Sequence, residues 1–309
     1  AKQMKIAILG MGYVGATIAY TLMMKEIGDA LILVNRNLQK ARSDAIDLQH
    51  SQAFTEKAIP ISAAPLHDPP AADLYILCLS VPYESHFKSR FELAPGNYRI
   101  LRDLVPKLKA KNRDAIYLVV SNPVDVMCYF CRELGDFDSN KVLGVGTLID
   151  SARFRKSLSL QKGIHPDDIR AYILGEHGDS QFHALSIAYA GGESITDEEE
   201  SASLIRESAS MGYEIVKGKG YSNFAVSMAT ALVVESIYLD NKRTIPLSTM
   251  IDNYLGVHDV CLSLPAVVGS MGVERVLHPQ LSEKEQQAFR HSADVVKQVI
   301  KAVKEKVKA

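Results

Sequence analysis

Lys5-Ile6-Ala7-Ile8-Leu9-Gly10-Met11-Gly12-Tyr13-Val14-Gly15 is a short apolar strand that runs without a spacer into three glycines. A helical pattern follows, from Ala16 to about Lys25. Glycines at this spacing are a weak signal alone, but between a strand and a helix they have a physical reading. Gly10 permits the tight turn, Gly12 lets the backbone approach a pyrophosphate, and Gly15 allows the helix to pack closely on the strand. The helix start adds free N–H groups and the positive end of its dipole. The stretch is read as a dinucleotide-binding turn, with Gly10, Gly12, Val14 and Gly15 along the cofactor.

Working outward, Ala30-Leu31-Ile32-Leu33-Val34 is a second apolar strand, and Asn35-Arg36 follows it. An acid at the end of this strand would hold the ribose 2′-hydroxyl of NAD. An amide can also bind a hydroxyl, and an amide next to an arginine does not repel a 2′-phosphate. The sequence therefore leaves both NAD and NADP open. Lys40 and Arg42 would strengthen that field if their side chains turned inward. Two more apolar runs, Asp73 to Leu79 and Ala115 to Val120, continue the alternation of strand and helix. The fold class is α/β: a Rossmann-type doubly wound parallel sheet, then an α+β substrate domain. The loops after these two strands should lie at the carboxyl edge of the sheet. One, Ser80 to Ser89, is long, polar and a candidate lid. The other, Ser121-Asn122-Pro123-Val124-Asp125, brings Ser121 and Asn122 to the cofactor, with the Asn122 amide beside nicotinamide and substrate.

With 309 residues the chain can form two domains, expected at 1–146 and 147–309. Its formal charge of −1 and the lack of a basic stripe with interleaved aromatics argue against a nucleic-acid partner. Val295, Val296, Val299, Ile300, Val303 and Val307 recur at helical spacing among C-terminal lysines, which predicts an amphipathic closing helix. No stretch reaches the roughly 18 continuous apolar residues of a spanning helix, and Lys2-Gln3-Met4-Lys5-Ile6 leads directly into a strand without a signal-peptide pattern. A cytoplasmic protein is expected. Of the four cysteines, Cys128 and Cys131 form a lone C-x-x-C inside an apolar helical run and are read as core, and no metal site is expected.

Gly175-Glu176-His177-Gly178-Asp179-Ser180-Gln181 follows the apolar Ala171-Tyr172-Ile173-Leu174 and puts an imidazole at a strand end. Asp150 and Arg153 stand three apart at the start of a helical pattern and so share a face. Together these residues suit acid–base chemistry on a small anionic substrate.

The chain resembles the L-lactate/L-malate dehydrogenase family over nearly its whole length, nearest to the L-lactate and L-2-hydroxyisocaproate dehydrogenase branch. The resemblance is carried by Gly10 to Gly15, Ser121 to Asp125, Gly144 to Arg155, Gly175 to Ser180, Gly218 to Asn223, and Leu264 to Gly269 with Gly272-Val273. It implies that His177 exchanges the proton, that Asp150 fixes the imidazole, and that Arg153 clamps the substrate carboxylate. It also implies that Arg90, in Ser89-Arg90-Phe91-Glu92-Leu93, closes over the reacting carbonyl. Tyr83 or Glu84 falls at the discriminating lid position, where a carboxylate would repel a dicarboxylic acid. Ser222 would slightly enlarge the pocket, and Ser80 would crowd the cofactor. Arg155 and Arg170 match positions that would hold an anionic effector such as fructose 1,6-bisphosphate. The implied protein is a homotetramer, with a dimer open on sequence alone, acting on a 2-oxo/2-hydroxy monocarboxylic acid. Rival readings are a malate dehydrogenase and a catalytically silent dinucleotide sensor.

Overall fold

The computed structural model describes residues 3–308; Ala1, Lys2 and Ala309, which the expected domains include, lie outside it. The first half alternates strand and helix. It comprises β1 (Lys5–Leu9), α1 (Tyr13–Met24), β2 (Ala30–Asn35), α2 (Leu38–Ser51), β3 (Ile61–Pro65) and β4 (Leu74–Leu77). Next come α3 (Ala94–Lys111), β5 (Ile116–Val119), α4 (Val124–Gly135) and β6 (Val142–Gly144). All six strands pair in parallel in the order β3-β2-β1-β4-β5-β6. The order reverses between β1 and β4, and the crevice outside their carboxyl ends is where such sheets bind ligands.

The sheet does not stop at β6. The second half supplies α5 (Leu148–Lys162), β7 (Ile169–Arg170), β8 (Ile173–Leu174), β9 (Phe182–His183), β10 (Tyr189–Ala190), β11 (Glu193–Ser194), α6 (Glu198–Lys219) and α7 (Phe224–Tyr238). Then β12 (Arg243–Ile251), β13 (Val260–Gly269) and β14 (Gly272–Val276) run antiparallel, before the closing helix α8 (Glu283–Lys308). β12 joins β6 through the pair Ser248–Gly144, so one nine-stranded sheet crosses the whole molecule.

Strands covered on both faces read as continuous apolar runs, and their alternating side chains feed two cores. Ala7, Leu9, Tyr75, Leu77, Tyr117 and Val119 pack under α3, α4 and α8. Ile6, Ile8, Leu74, Ile76 and Leu118 pack under α1, α2 and α7. Cys128 and Cys131 belong to the first core. A smaller cluster, including Phe154, Leu158, Ile169 and Ile173, holds α5 to the short strands beside it. The closing helix buries Phe289, Val296, Ile300 and Val303 and turns its lysines outward, as its periodicity predicts. No helix among the described residues is long and apolar enough to cross a membrane.

Candidate active site

The glycine turn has the shape its chemistry requires. Gly10 adopts φ +100°, and a side chain there would meet the Cys78–Leu79 backbone at 3.0 Å. A Cβ on Gly15 would lie 1.8 Å from the Gly10 carbonyl oxygen, so only glycine lets α1 start this close to β1. A Cβ on Gly12 would meet nothing within 4 Å. Gly12 is also the N-cap of α1, without a side-chain cap. The first turn thus opens its N–H groups toward unfilled space, which fits a pyrophosphate. Val14 lies within this turn of α1.

Asn35 holds the turn in place: its Oδ1 accepts the Met11 N–H at 3.2 Å, while its Nδ2 donates to the Asn37 carbonyl. Arg36 is exposed beside it. Lys40 and Arg42 do not turn inward. Both are exposed on α2, and Lys40 pairs with Asp44 one turn on, which removes it from the expected cofactor field. Ser121 is buried, and its hydroxyl donates to the Leu77 and Leu79 carbonyls, 3.1 and 2.5 Å away. It therefore braces the end of β4 instead of presenting a free hydroxyl.

Across the crevice, the loop from Gly175 to Gln181 links β8 and β9. Reciprocal backbone bonds between Gly175 and Ser263 (3.1 and 2.9 Å) tie its start to β13. Asp150 lies in the first turn of α5, where a carboxylate also suits the helix dipole. Its Oδ2 is 2.8 Å from His177 Nδ1, and the two side chains are only 14% and 17% exposed. On the other ring nitrogen, Arg90 Nη1 lies 3.4 Å from Nε2. Arg90 is the first residue of a 3₁₀ turn (Arg90–Leu93) that Ser89 and Glu92 close as a capping box. This shapes the backbone turn from which the exposed Arg90 side chain reaches the imidazole. Burial by itself would push the His177 pKa down, but the charge and hydrogen bond of Asp150 outweigh it, and the net shift is upward. Burial likewise opposes ionisation of Asp150, yet His177 and then Arg153 hold it below the usual carboxylate range.

Arg153 is half-buried one turn beyond Asp150, with its guanidinium against Gly212 of α6; a Cβ there would lie 3.1 Å from Nη1. Among the described residues, no carboxylate pairs with Arg153 at salt-bridge distance. Ser222 sits in the elbow between α6 and α7, which is fastened to the cofactor side. Tyr221 stacks on Tyr13 with ring centroids 3.9 Å apart, and Asn223 donates to the Thr17 hydroxyl at 2.9 Å.

The structure thus gathers His177, Asp150 and Arg90 in direct contact, with Arg153 one helical turn from Asp150. It does not bring Tyr83 or Glu84 to them. Tyr83 is 58% exposed and its hydroxyl donates to the Phe87 carbonyl, while Glu84 pairs with His86 at 3.2 Å. Both spend their contacts within the lid. Ser80 donates to the Val81 carbonyl and accepts from Asn97. Arg155 and Arg170 do converge, and Arg243 joins them with Tyr172 around a cavity that His177 and Arg90 do not line. Burial first, with the like charges of Arg170 and Arg243 added, holds the Arg155 pKa below its ordinary range.

Sequence reading missed two residues. Asn97, 2% exposed on α3, binds the Val81 N–H and donates to the Asn122 carbonyl at 2.7 Å, which locks the lid root to the Asn122 turn. No local pattern marks it. Asp125, 3% exposed, accepts the His177 backbone N–H. A lone carboxylate in the run Val124 to Cys131 was its signal, because a buried charge needs partners.

Comparison with known proteins agrees with this geometry. Residues 4–144 match the family model for the lactate/malate dehydrogenase NAD binding domain, and residues 147–307 match that for the alpha/beta C-terminal domain. The L-lactate dehydrogenase of Pseudothermotoga lettingae is 37% identical over 308 residues, 96% of each chain. That of Thermoanaerobacter sp. (strain X514) is 36% identical over 96% of this chain and 98% of its own. Among solved structures, a minor L-lactate dehydrogenase from Enterococcus mundtii superposes with a TM-score of 0.92 at 29% identity, covering 97% of this chain and 98% of that one. A glycine turn shaped for a dinucleotide, an imidazole held between a carboxylate and a guanidinium, and matches along almost the full length together place this chain in the lactate/malate dehydrogenase family, oxidoreductases acting on the CH–OH group of 2-hydroxy acids.

Proposed function

We propose that this chain is an NAD-dependent L-2-hydroxy acid dehydrogenase of the L-lactate or L-2-hydroxyisocaproate type, reversibly interconverting a 2-oxo and a 2-hydroxy monocarboxylic acid. The observation that carries the reading is the contact series Asp150–His177–Arg90, with unpaired Arg153 on the helix of Asp150. The division is into a cofactor domain, 1–146, and a substrate domain, 147–309. Gly10, Gly12, Val14, Gly15 and the Ser80 and Ser121 loops line the cofactor side. A bound nicotinamide supplies the hydride acceptor or donor. Arg153 grips the substrate carboxylate with two N–H groups and orients the carbonyl. In reduction, His177 donates its Nε2 proton to the carbonyl oxygen, while its Nδ1–H remains donated to the Asp150 carboxylate, which stabilises the imidazolium. Arg90 stabilises negative charge on that oxygen, Asn122 donates to it from the other side, and the lid excludes water.

NAD is placed first because the matched N-terminal domain is an NAD-binding one. Asn35 and exposed Arg36 keep NADP as the alternative. Glu84 pairs with His86 inside the lid, so it does not bar a second substrate carboxylate, and malate dehydrogenase stands as the alternative activity. One matrix tests all of this: NADH and NADPH against pyruvate, 2-oxoisocaproate and oxaloacetate, followed by loss of nicotinamide absorbance. Turnover of a 2-oxo monoacid with NADH is expected. Preference for oxaloacetate would replace the reading with malate dehydrogenase, and no turnover with intact NADH binding would make the chain a sensor.

The protein also assembles as a homo-oligomer, a tetramer or dimer. Tyr20 and Met24 on α1, Ile46 on α2, Phe54 just beyond α2 and Met228 on α7 are exposed apolar side chains, which a second copy would cover. Arg155, Arg170 and Arg243, three cations around one cavity with Asp167 nearby, form an anion effector site in that assembly. Fructose 1,6-bisphosphate should lower the substrate KM and raise the sedimentation coefficient, and Arg155→Ala should abolish both effects. A flat titration at low substrate removes the effector site.

A further inference from the structure

Asp125 is a charged residue where packing calls for an apolar one. Its neighbours from Val124 to Cys131 are all buried, and it is buried with them in the first turn of α4. The carboxylate spans two segments remote in sequence. Oδ2 accepts the His177 backbone N–H at 2.8 Å, and Oδ1 accepts the Ser248 hydroxyl at 2.7 Å, where β12 meets β6. Neither partner atom is a cation. A carboxylate held only by neutral donors costs more than an apolar side chain of equal volume, so stability does not account for it. Three residues upstream is Asn122, whose carbonyl is fixed from the far side by Asn97.

The geometry points to Asp125 as a positioning residue for proton transfer: it ties the turn that carries Asn122 to the loop that carries His177, so that amide and imidazole converge on one substrate oxygen. This rests on the proposed dehydrogenase reading. The tie needs the ionised form, whose two oxygens accept one bond each. Burial pushes the Asp125 pKa up to about 6, against the opposing hydrogen bonds of Ser248 and His177. The titratable groups facing it are His177 and Glu176 on the loop, Cys128 on its own helix and Cys261 on β13. Protonation therefore loosens the tie as pH falls through about 6. His177, shifted upward, titrates on the alkaline side of that point.

Two variants and one spectroscopic measurement test this. Asp125→Asn keeps one acceptor but cannot titrate, so the acid-side fall in kcat should vanish while the alkaline limb set by His177 remains. Asp125→Ala should lower kcat about 10- to 100-fold, the effect of a misplaced catalytic group, with NADH binding unchanged. Independently of turnover, protein labelled with ¹⁵N-histidine should show the His177 backbone amide, one of nine histidine signals, shifting near pH 6. In Asp125→Asn it should stay fixed. An unaltered acid limb and an amide that still moves in that variant would overturn the tie. If the variants do not fold, a wild-type amide that is silent near pH 6 overturns it alone. An amide that titrates as expected in a protein turning over no 2-oxo acid would instead remove the dehydrogenase reading and leave the tie standing.

Discussion

His177→Ala should lower kcat for reduction of a 2-oxo acid by about 10²- to 10⁴-fold at neutral pH, the usual contribution of a positioned acid–base group. NADH affinity should hardly change, because the glycine turn lies across the crevice. The pH dependence of the wild-type enzyme follows from the same contacts. Asp150 keeps the imidazolium populated above the ordinary histidine value of about 6.5. Reduction, which consumes that proton, should fall as pH rises through the raised pKa. Oxidation needs the neutral ring and should rise over the same interval. Asp150→Asn removes the carboxylate that outweighs burial, so both limbs should move to lower pH. Steady-state rates in each direction across pH measure this, and turnover unchanged in His177→Ala would refute the relay.

Arg153→Leu should be nearly as damaging, through a different parameter. Two hydrogen bonds to a charged group are together worth about 3–6 kcal/mol, or roughly 10²- to 10⁴-fold in kcat/KM. Most of the loss should enter KM, because the carboxylate is bound in ground and transition states alike. Arg153→Lys keeps the charge but not the planar fork and should recover only part of the activity. A ketone without a carboxylate should react equally slowly with either enzyme. Equal KM values for a 2-oxo acid in wild type and Arg153→Leu would show that the carboxylate binds elsewhere.

Much of this could be read from local pattern. The strand–glycine–helix signal at Lys5 to Gly15 became β1, the Gly10–Gly12 turn and α1, although the helix begins at Tyr13, earlier than the expected Ala16, because Gly12 already acts as its cap. Asp150 and Arg153 share one helix face because their spacing requires it. Side-chain direction in exposed segments was not legible. Lys40 found an acid four residues away on its own helix, and Tyr83 and Glu84 found partners inside the lid. An exposed polar side chain pairs with a near neighbour, which no motif records.

Local pattern alone carried the alternation of strand and helix, the glycine turn and the shared helix face of Asp150 and Arg153, since each depends on glycine geometry, apolar periodicity or helical spacing over a few residues. Long-range packing brought Arg90 to His177 across 87 residues and Asp125 to Ser248 across 123. It also set Arg243 beside Arg155 and carried one sheet through both halves of the chain. Those contacts are fixed by how the two cores bring strands and helices together, and at Asp125 and Ser248 burial turns the polar groups toward each other.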